Sequence, residues 1–365
     1  MSSAKKLLST AACSIGLAIA AALPASGFAA ETRGIVYVMT NQASGNSVQV
    51  YARDPNGTLT YTATFPTGGS GTGTGGDPLG SQGALVLQSG FLFAVNAGSS
   101  DISVFQVTGD GLVLLDKAAS GGRLPVSIAV KGQLLYVLNA GGTPNISGFV
   151  IDPETRHLFA LPNSQRPLAG GAAANPAEVH FSNDGESLLV TEKGTQTIDS
   201  YRINFLGYAV GPTAISASAV TPFGFAATRR GYAVVSEAGS GAVSSYDIAD
   251  DGTLTLVSGP LALGENAPCW LVVTGDGQLA FTANAGSGNI SSLRIANDGS
   301  LTLVNPAAGS LAAPLDMALT ADSQYLYVRE GNGGVTGFRV QADGNLAYVT
   351  SVTGIPAGAQ GIAAR

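Results

Sequence analysis

Short apolar runs, separated by turns rich in Gly, Ser, Asn and Asp, follow one another along almost the whole chain. The pattern is self-similar. An apolar strand, a small polar turn, a second strand, an Asp-Gly-like turn and a Leu-Thr step recur as one phrase. Clear copies are LFAVNAGSSDISVF (Leu92–Phe105), LYVLNAGGTPNISGF (Leu135–Phe149), YAVVSEAGSGAVSSY (Tyr232–Tyr246), AFTANAGSGNISSL (Ala280–Leu293) and LYVREGNGGVTGF (Leu326–Phe338), with diverged copies from Val36 and Leu188. A repeating unit of about 42–55 residues made only of strands and turns predicts one four-stranded sheet per repeat, arranged as a propeller.

A second marker gives the same count. Pro78, Pro125, Pro176, Pro222, Pro268, Pro314 and Pro356 each precede a short apolar run such as PVSIAV, PAEVHF, PFGFAA, PCWLVV or PLDMAL. Proline is tolerated at a strand's first residue, where no ladder donor is lost, so these runs are expected to be the innermost strands around a central channel. Asn56-Gly57, Asp110-Gly111, Asp251-Gly252, Asp298-Gly299 and Asp343-Gly344 supply the turns between outer strands. The first phrase, at Ile35–Met39, lacks an inner strand ahead of it. The last proline leads into AGAQGIAAR, which matches PLGSQGALVL at Pro78 down to Gln82-Gly83 and Gln360-Gly361. The strand from Gln360 should therefore complete the first blade and close the ring, leaving no open sheet edge. The expected fold is an all-β, seven-bladed propeller.

Residues 1–30 read as a processing segment. Lys5 and Lys6 precede the apolar stretch Leu7–Leu23, and small residues at Ala25–Ala30 suit cleavage near Ala29 or Ala30. The expected address is the periplasm or the outside, with residues 31–365 as one propeller and no membrane insertion after cleavage. Cys13 would leave with that segment, so Cys269 is the single cysteine of the remainder and no internal disulfide forms. With Lys5 and Lys6 removed, 15 basic residues face 24 acidic ones, a net charge near −9. Only Lys117, Lys131 and Lys193 remain as lysines, which argues against a nucleic-acid partner.

Three insertions break the period: Thr67–Asp77, Gly141–Asn145 and Leu161–Asn175, the last containing Arg166. Gly71 to Gly76 nominally satisfies GxGxxG. A dinucleotide site needs a helix next, whereas Asp77-Pro78 and a strand follow, so the segment reads as a flexible inter-blade loop. There is no GxSxG elbow, CxxC, HExxH or P-loop lysine motif, and no cofactor or metal is expected.

The YVxN-type second strand, the G-S-x-x-I-S third strand and the D-G-x-L turn resemble the lactonase family of seven-bladed propellers, which includes propeller-type 6-phosphogluconolactonases and carboxymuconate-cyclase-like proteins. The resemblance implies an Arg-His pair just after an inner-strand proline, suited to anionic lactones. Here those two positions hold Val126-Ser127, Ala177-Glu178, Phe223-Gly224, Cys269-Trp270 and Leu315-Asp316, with Gln82-Gly83 and Gln360-Gly361 in the inserted blades. None is Arg or His.

Candidate residues are those that break the symmetry. Glu178 and His180 lie two apart on one inner strand and hence on one face, and His180 replaces Ala129, Ala226, Val272 and Ala318 of the sister blades. They suit a base and a proton relay, and Trp270, the only tryptophan, suits an aromatic wall. Asn41, Asn96, Asn139, Glu192, Glu237, Asn284 and Glu330 end the second strands. Recurrence in every blade suggests that they cap turns. A carboxylate ring of Glu192, Glu237 and Glu330 with Glu178 and Asp316 around one mouth is the alternative, with Glu192 joining the catalytic candidates. Arg123, Arg229, Arg230 and Arg329 are candidate anion grips, Cys269 a small buried hydrophobe, and His157 a surface residue of an outer turn. Two functions follow: an exported propeller with a degenerate site that binds a small molecule or a protein at one channel mouth, or a lactone hydrolase or cycloisomerase acting on a neutral lactone.

Overall fold

The computed structural model describes residues 34–73, 75–109 and 111–365. The processing segment expected over residues 1–30 lies outside the described residues, as does Asp110 of one expected turn. Seven antiparallel sheets follow one another along the chain. Their innermost strands are Leu85–Gln88, Arg123–Lys131, Pro176–Phe181, Pro222–Ala227, Pro268–Val273 and Pro314–Leu319 in blades 2 to 7. Blade 1 takes its innermost strand, Ile362–Ala364, from the other end of the chain.

That pairing closes the ring. Val36, Tyr37 and Val38 face Ala364, Ala363 and Ile362. Backbone bonds extend the ladder on both sides: Ile35 N–H to Arg365 O at 3.0 Å, Arg365 N–H to Ile35 O at 2.9 Å, and Met39 N–H to Gly361 O at 3.0 Å. Second strands such as Phe91–Asn96, Leu134–Gly141, Ser187–Glu192 and Tyr325–Glu330 are buried along almost their whole length. Neighbouring blades cover both of their faces, so they read as unbroken apolar runs, whereas outermost strands such as Leu59–Pro66 face water on one side and alternate. With no disulfide available to the described residues, this stacking carries the stability.

Five inner strands shift register directly after their proline: between Pro125 and Ser127, Pro176 and Glu178, Pro222 and Phe225, Pro268 and Trp270, and Pro314 and Met317. A bulge re-aims side chains, so the residues just after each proline do not follow the simple alternation of the rest of the strand. In the two inserted blades the expectation fails in detail. Pro78 and Pro356 do not start strands. The ladders begin at Leu85 and Ile362, because the extra residues cross the channel mouth before pairing. The Leu161–Asn175 insertion in blade 3 also folds back, pairing Arg166 and Pro167 with Ile146 and Asn145.

Nor is Thr67–Asp77 a free loop. Gly71 N–H donates to Gln42 O at 2.8 Å, Gly73 N–H to Asn41 O at 2.8 Å, Asn41 Nδ2–H to Thr72 Oγ1 at 2.9 Å, and Thr72 N–H to Asn41 Oδ1 at 3.1 Å. Its glycines permit close approach: a Cβ at Gly71 would overlap the Asn41 backbone, and one at Gly98 would overlap Gly71 O.

Ala363 lies within the closing ladder, so Ala363→Pro should remove a ladder donor and destabilise the fold by roughly 3 kcal/mol. A urea midpoint unchanged from wild type would show that ring closure does not carry stability.

Candidate functional site

The channel is blocked at its waist by a single chain segment, Ser81–Gln82. Gln82 N–H donates to Ala177 O of blade 4 at 3.1 Å. Its carboxamide pairs with a peptide unit of blade 6, donating to Leu271 O at 2.8 Å and accepting from Leu271 N–H at 2.9 Å. Ser81 Oγ–H donates to Val126 O of blade 3 at 2.8 Å, and Ser81 O accepts from Trp270 Nε1–H at 2.9 Å and from Gln360 Nε2–H at 3.0 Å. Blade 5 makes room with Gly224, where a Cβ would run into Gln82 Oε1. The inserted residues ahead of Gln82 thus become a cross-channel plug that separates an upper mouth, at the proline ends of the inner strands, from a lower one.

Below the plug lies a cavity of about 350 Å³ whose lining includes Gln82, Glu178, His180, Phe225, Arg229 and Leu271. Glu178 is buried in its wall, accepting from Phe225 N–H at 2.7 Å and more weakly from Gln82 Nε2–H at 3.4 Å. Burial, reinforced by the nearby Asp316 charge, pushes its carboxyl well above the usual range despite those donors, which favours the protonated acid. His180, two residues further on, is the one exposed residue of its strand and opens onto the cavity. Its ring packs edge-on against Phe225 at 6.0 Å, and Nδ1 lies 2.7 Å from Phe181 O. A carbonyl only accepts, so Nδ1 carries the proton and Nε2 is the free acceptor. Desolvation, aided by Lys131, lowers the His180 pKa and keeps the ring neutral. The cavity therefore offers an uncharged donor acid and an uncharged acceptor base.

Of the other candidates, Arg229 alone lines the same cavity, as an exposed side chain. Trp270 is buried and packs edge-on against Phe223 at 5.1 Å, with its indole N–H spent on the plug. It is a wall of the core rather than of the lower cavity. Glu237 accepts from Ala219 N–H at 2.9 Å and from the Ser218 and Ser244 hydroxyls at 2.7 Å each. Glu330 accepts from Ala312 N–H at 3.0 Å and Thr336 Oγ1–H at 2.6 Å, and Glu192 from Gly170 N–H at 3.1 Å and Thr195 Oγ1–H. These three glutamates hold inter-blade loops and form no ring around the channel. Arg123 borders a separate hollow with Leu124 and Ala97. Cys269 is partly buried, its thiol pushed up to about 12 chiefly by burial, and His157 is exposed 3.9 Å from Asp116.

Above the plug, Asp316 is buried, accepts from Met317 N–H at 2.9 Å, and is pushed up to about 7 by burial. Arg329 is fully buried, and desolvation lowers it to about 10, so it remains charged at neutral pH. Among the described residues no cluster of His, Cys, Asp and Glu could hold a metal, and no helix is long and apolar enough to cross a membrane.

Sequence reasoning could not find the role of Gln82. The matching Gln-Gly pairs in the two inserted blades were its only signal. Sevenfold staggering of one sheet around a channel is nonetheless a family architecture, and the family profile described as Lactonase, 7-bladed beta-propeller matches residues 27–170 and 209–310. The chain belongs to that family. It is similar in structure to a Bacteroides fragilis protein provisionally described as a 6-phosphogluconolactonase, at 18% identity and a TM-score of 0.67 over 92% of this chain and 98% of that one. It is also similar to the periplasmic gluconolactonase PpgL of Pseudomonas aeruginosa, at 15% identity and a TM-score of 0.69 over 90% and 98% of the two chains. At such identities the likeness establishes the fold. No curated protein matches the sequence.

Asp316 yields a pH dependence. Its folded pKa of about 7 lies above the ordinary 3.8, so the folded protein holds a proton that the unfolded chain has released. Its contribution to stability is complete below about pH 4 and is lost as pH rises through 7. Asp316→Asn should flatten the fall in stability between pH 4 and 8, read from urea unfolding at several pH values. Glu178 and Asp199, both raised mainly by burial, keep a residual slope of the same sign. An unaltered slope in the variant would place the Asp316 pKa near its ordinary value.

Proposed function

We propose that this chain is an exported, ligand-binding member of the lactonase family whose lower channel cavity takes a small, uncharged molecule bearing carbonyl and hydroxyl groups, a sugar lactone being the model ligand. The observation that carries this reading is the pairing of a neutral acid, Glu178, with a neutral base, His180, in a cavity closed at its far end by Gln82. A protonated carboxyl donates to a carbonyl oxygen, and an imidazole Nε2 accepts from a hydroxyl. Apart from the exposed Arg229 the lining is uncharged, which favours an uncharged ligand over one that would lose hydration along most of the cavity. The family's Arg-His pair would stand at the level where the plug now fills the channel, which argues against a phosphorylated lactone. The apolar and small-residue stretch Leu7–Ala30 and the named periplasmic neighbour support export.

A second reading, lactone hydrolysis, is favoured by the same two residues. His180 Nε2 would take a proton from water as its oxygen attacks the lactone carbonyl. Glu178 would give its proton to the ring oxygen as the C–O bond breaks, and the two groups would re-equilibrate through solvent, leaving a hydroxy acid.

Calorimetric titration with glucono-1,5-lactone separates the readings. Binding should weaken about tenfold in His180→Leu, the worth of one hydrogen bond of roughly 1.4 kcal/mol. Glu178→Gln, which retains an N–H donor, should bind within a few-fold of wild type. Acid release that disappears in Glu178→Gln would move the assignment to hydrolysis. No heat with any neutral lactone, or equal affinity in His180→Leu, would remove the lower cavity from consideration.

A further inference from the structure

The upper mouth presents a different chemistry. Arg329 is fully buried, and its guanidinium donates only through Nη1, to Gly76 O at 3.3 Å. Nε and Nη2, the edge that grips a carboxylate side-on, have no partner among the described residues. Lys193, whose ammonium lies 4.8 Å over the Phe223 ring, donates to Gly80 O. Two desolvated cations thus hold two carbonyl oxygens of one strap, Gly76–Gly80. Between those glycines Asp77 carries a carboxylate that neither cation pairs with: the ion pairs of the described residues are Lys117–Asp101 and His157–Asp116 alone. A fully buried guanidinium with its fork edge empty, and a half-buried ammonium, each satisfied by a neutral carbonyl, are stabilised much less than cations facing a true anion.

We propose that Arg329 and Lys193 form a second binding site, specific for a small carboxylate, and that the Gly76–Gly80 strap occupies it as an internal stand-in. The carboxylate seats on the Nε–Nη2 edge of Arg329, and Lys193 exchanges Gly80 O for its second oxygen. The strap shifts outward, as its glycines allow: Gly76 and Gly80 have φ of +75° and +56°. Asp77 opposes an incoming anion electrostatically and so sets the affinity. This site lies on the other side of the Ser81–Gln82 plug from the lower cavity and does not depend on that cavity's ligand.

The molecule carries its own reporter. Trp270 is the only tryptophan. Its indole N–H is bonded to Ser81 O, the residue that follows the strap, and its ring packs on the same Phe223 that Lys193 covers. Titration of the protein with acetate and with malonate, at constant ionic strength held with chloride, should change Trp270 fluorescence saturably. Asp77→Asn should lower the half-saturating concentration about tenfold, the effect of removing one like charge at short range in a partly desolvated site. Arg329→Gln and Lys193→Gln should each abolish saturation, with thermal midpoints run alongside to identify any variant that fails to fold. Asp77→Asn retains both cations, so its tightening tests the proposal even where an Arg329 variant is unstable. The proposal is overturned if neither wild type nor Asp77→Asn responds, if chloride gives the same response as acetate, or if a folded Lys193→Gln protein saturates as wild type does.

Discussion

One stretch of backbone, Ser81–Gln82, decides what the channel of this propeller can be. Its bonds reach blades 1, 3, 4 and 6, and its side chain lies where blade 5 has only Gly224. A propeller channel is a place where inner strands end facing one another with few contacts. Crossing it with a peptide-like carboxamide converts that weak axis into a hydrogen-bonded hub. Removing Gln82 would leave Leu271 N–H and C=O unmet in a dry environment, the costlier side of any hydrogen-bond exchange. The plug also makes two separate half-channels out of one, each with its own lining.

The ring around the hub depends on contacts that chain continuity enforces at every junction but one. Blade-to-blade packing is set by short connections, whereas the first and last blades are joined by the pairing of Ile362–Ala364 with Gly34–Met39 and by the Tyr325 and Tyr327 hydroxyls, which donate to Pro55 O and Gly57 O. Such a closure binds the two ends of the chain and fixes the register of the C-terminal segment, including Gln360, whose side chain supports the plug. Closure and plug therefore reinforce each other: the residues that complete blade 1 also hold the segment that fills the axis.

Much of this was legible in sequence because sheet geometry is local. Period-two alternation puts Glu178 and His180 on one face, repeat spacing counts the blades, and the Gln-Gly match pairs the two ends. The recurrence of Asn or Glu at the second-strand ends correctly suggested a shared task, and Glu237 and Glu330 hold loops as such a task requires. What escaped was set by geometry between blades. The bulge after each proline makes a simple face count unreliable for Trp270, whose indole turns into the core. Pro78 resembles the strand-starting prolines but sits in a strap. Arg329 is the penultimate residue of a buried second strand, where an arginine has no local reason to be, and only the folded ring shows its open edge beside Gly76.

The two mouths differ in the one property that selects small molecules, charge in a dry site. Below the plug, desolvation pushes an acid up and a base down, each toward its neutral form, and apart from the exposed Arg229 the lining suits a polar, uncharged guest. Above it, desolvation lowers both Arg329 and Lys193, opposed by Asp77 near each and by Asp316 near Arg329, and no close ion pair neutralises either cation. A continuous channel could not sustain both states. Water and ions passing between the mouths would solvate Glu178 and screen Arg329, pulling each toward its ordinary behaviour. The inserted residues that fill the axis are thus what allows seven nearly identical blades to present two unlike surfaces.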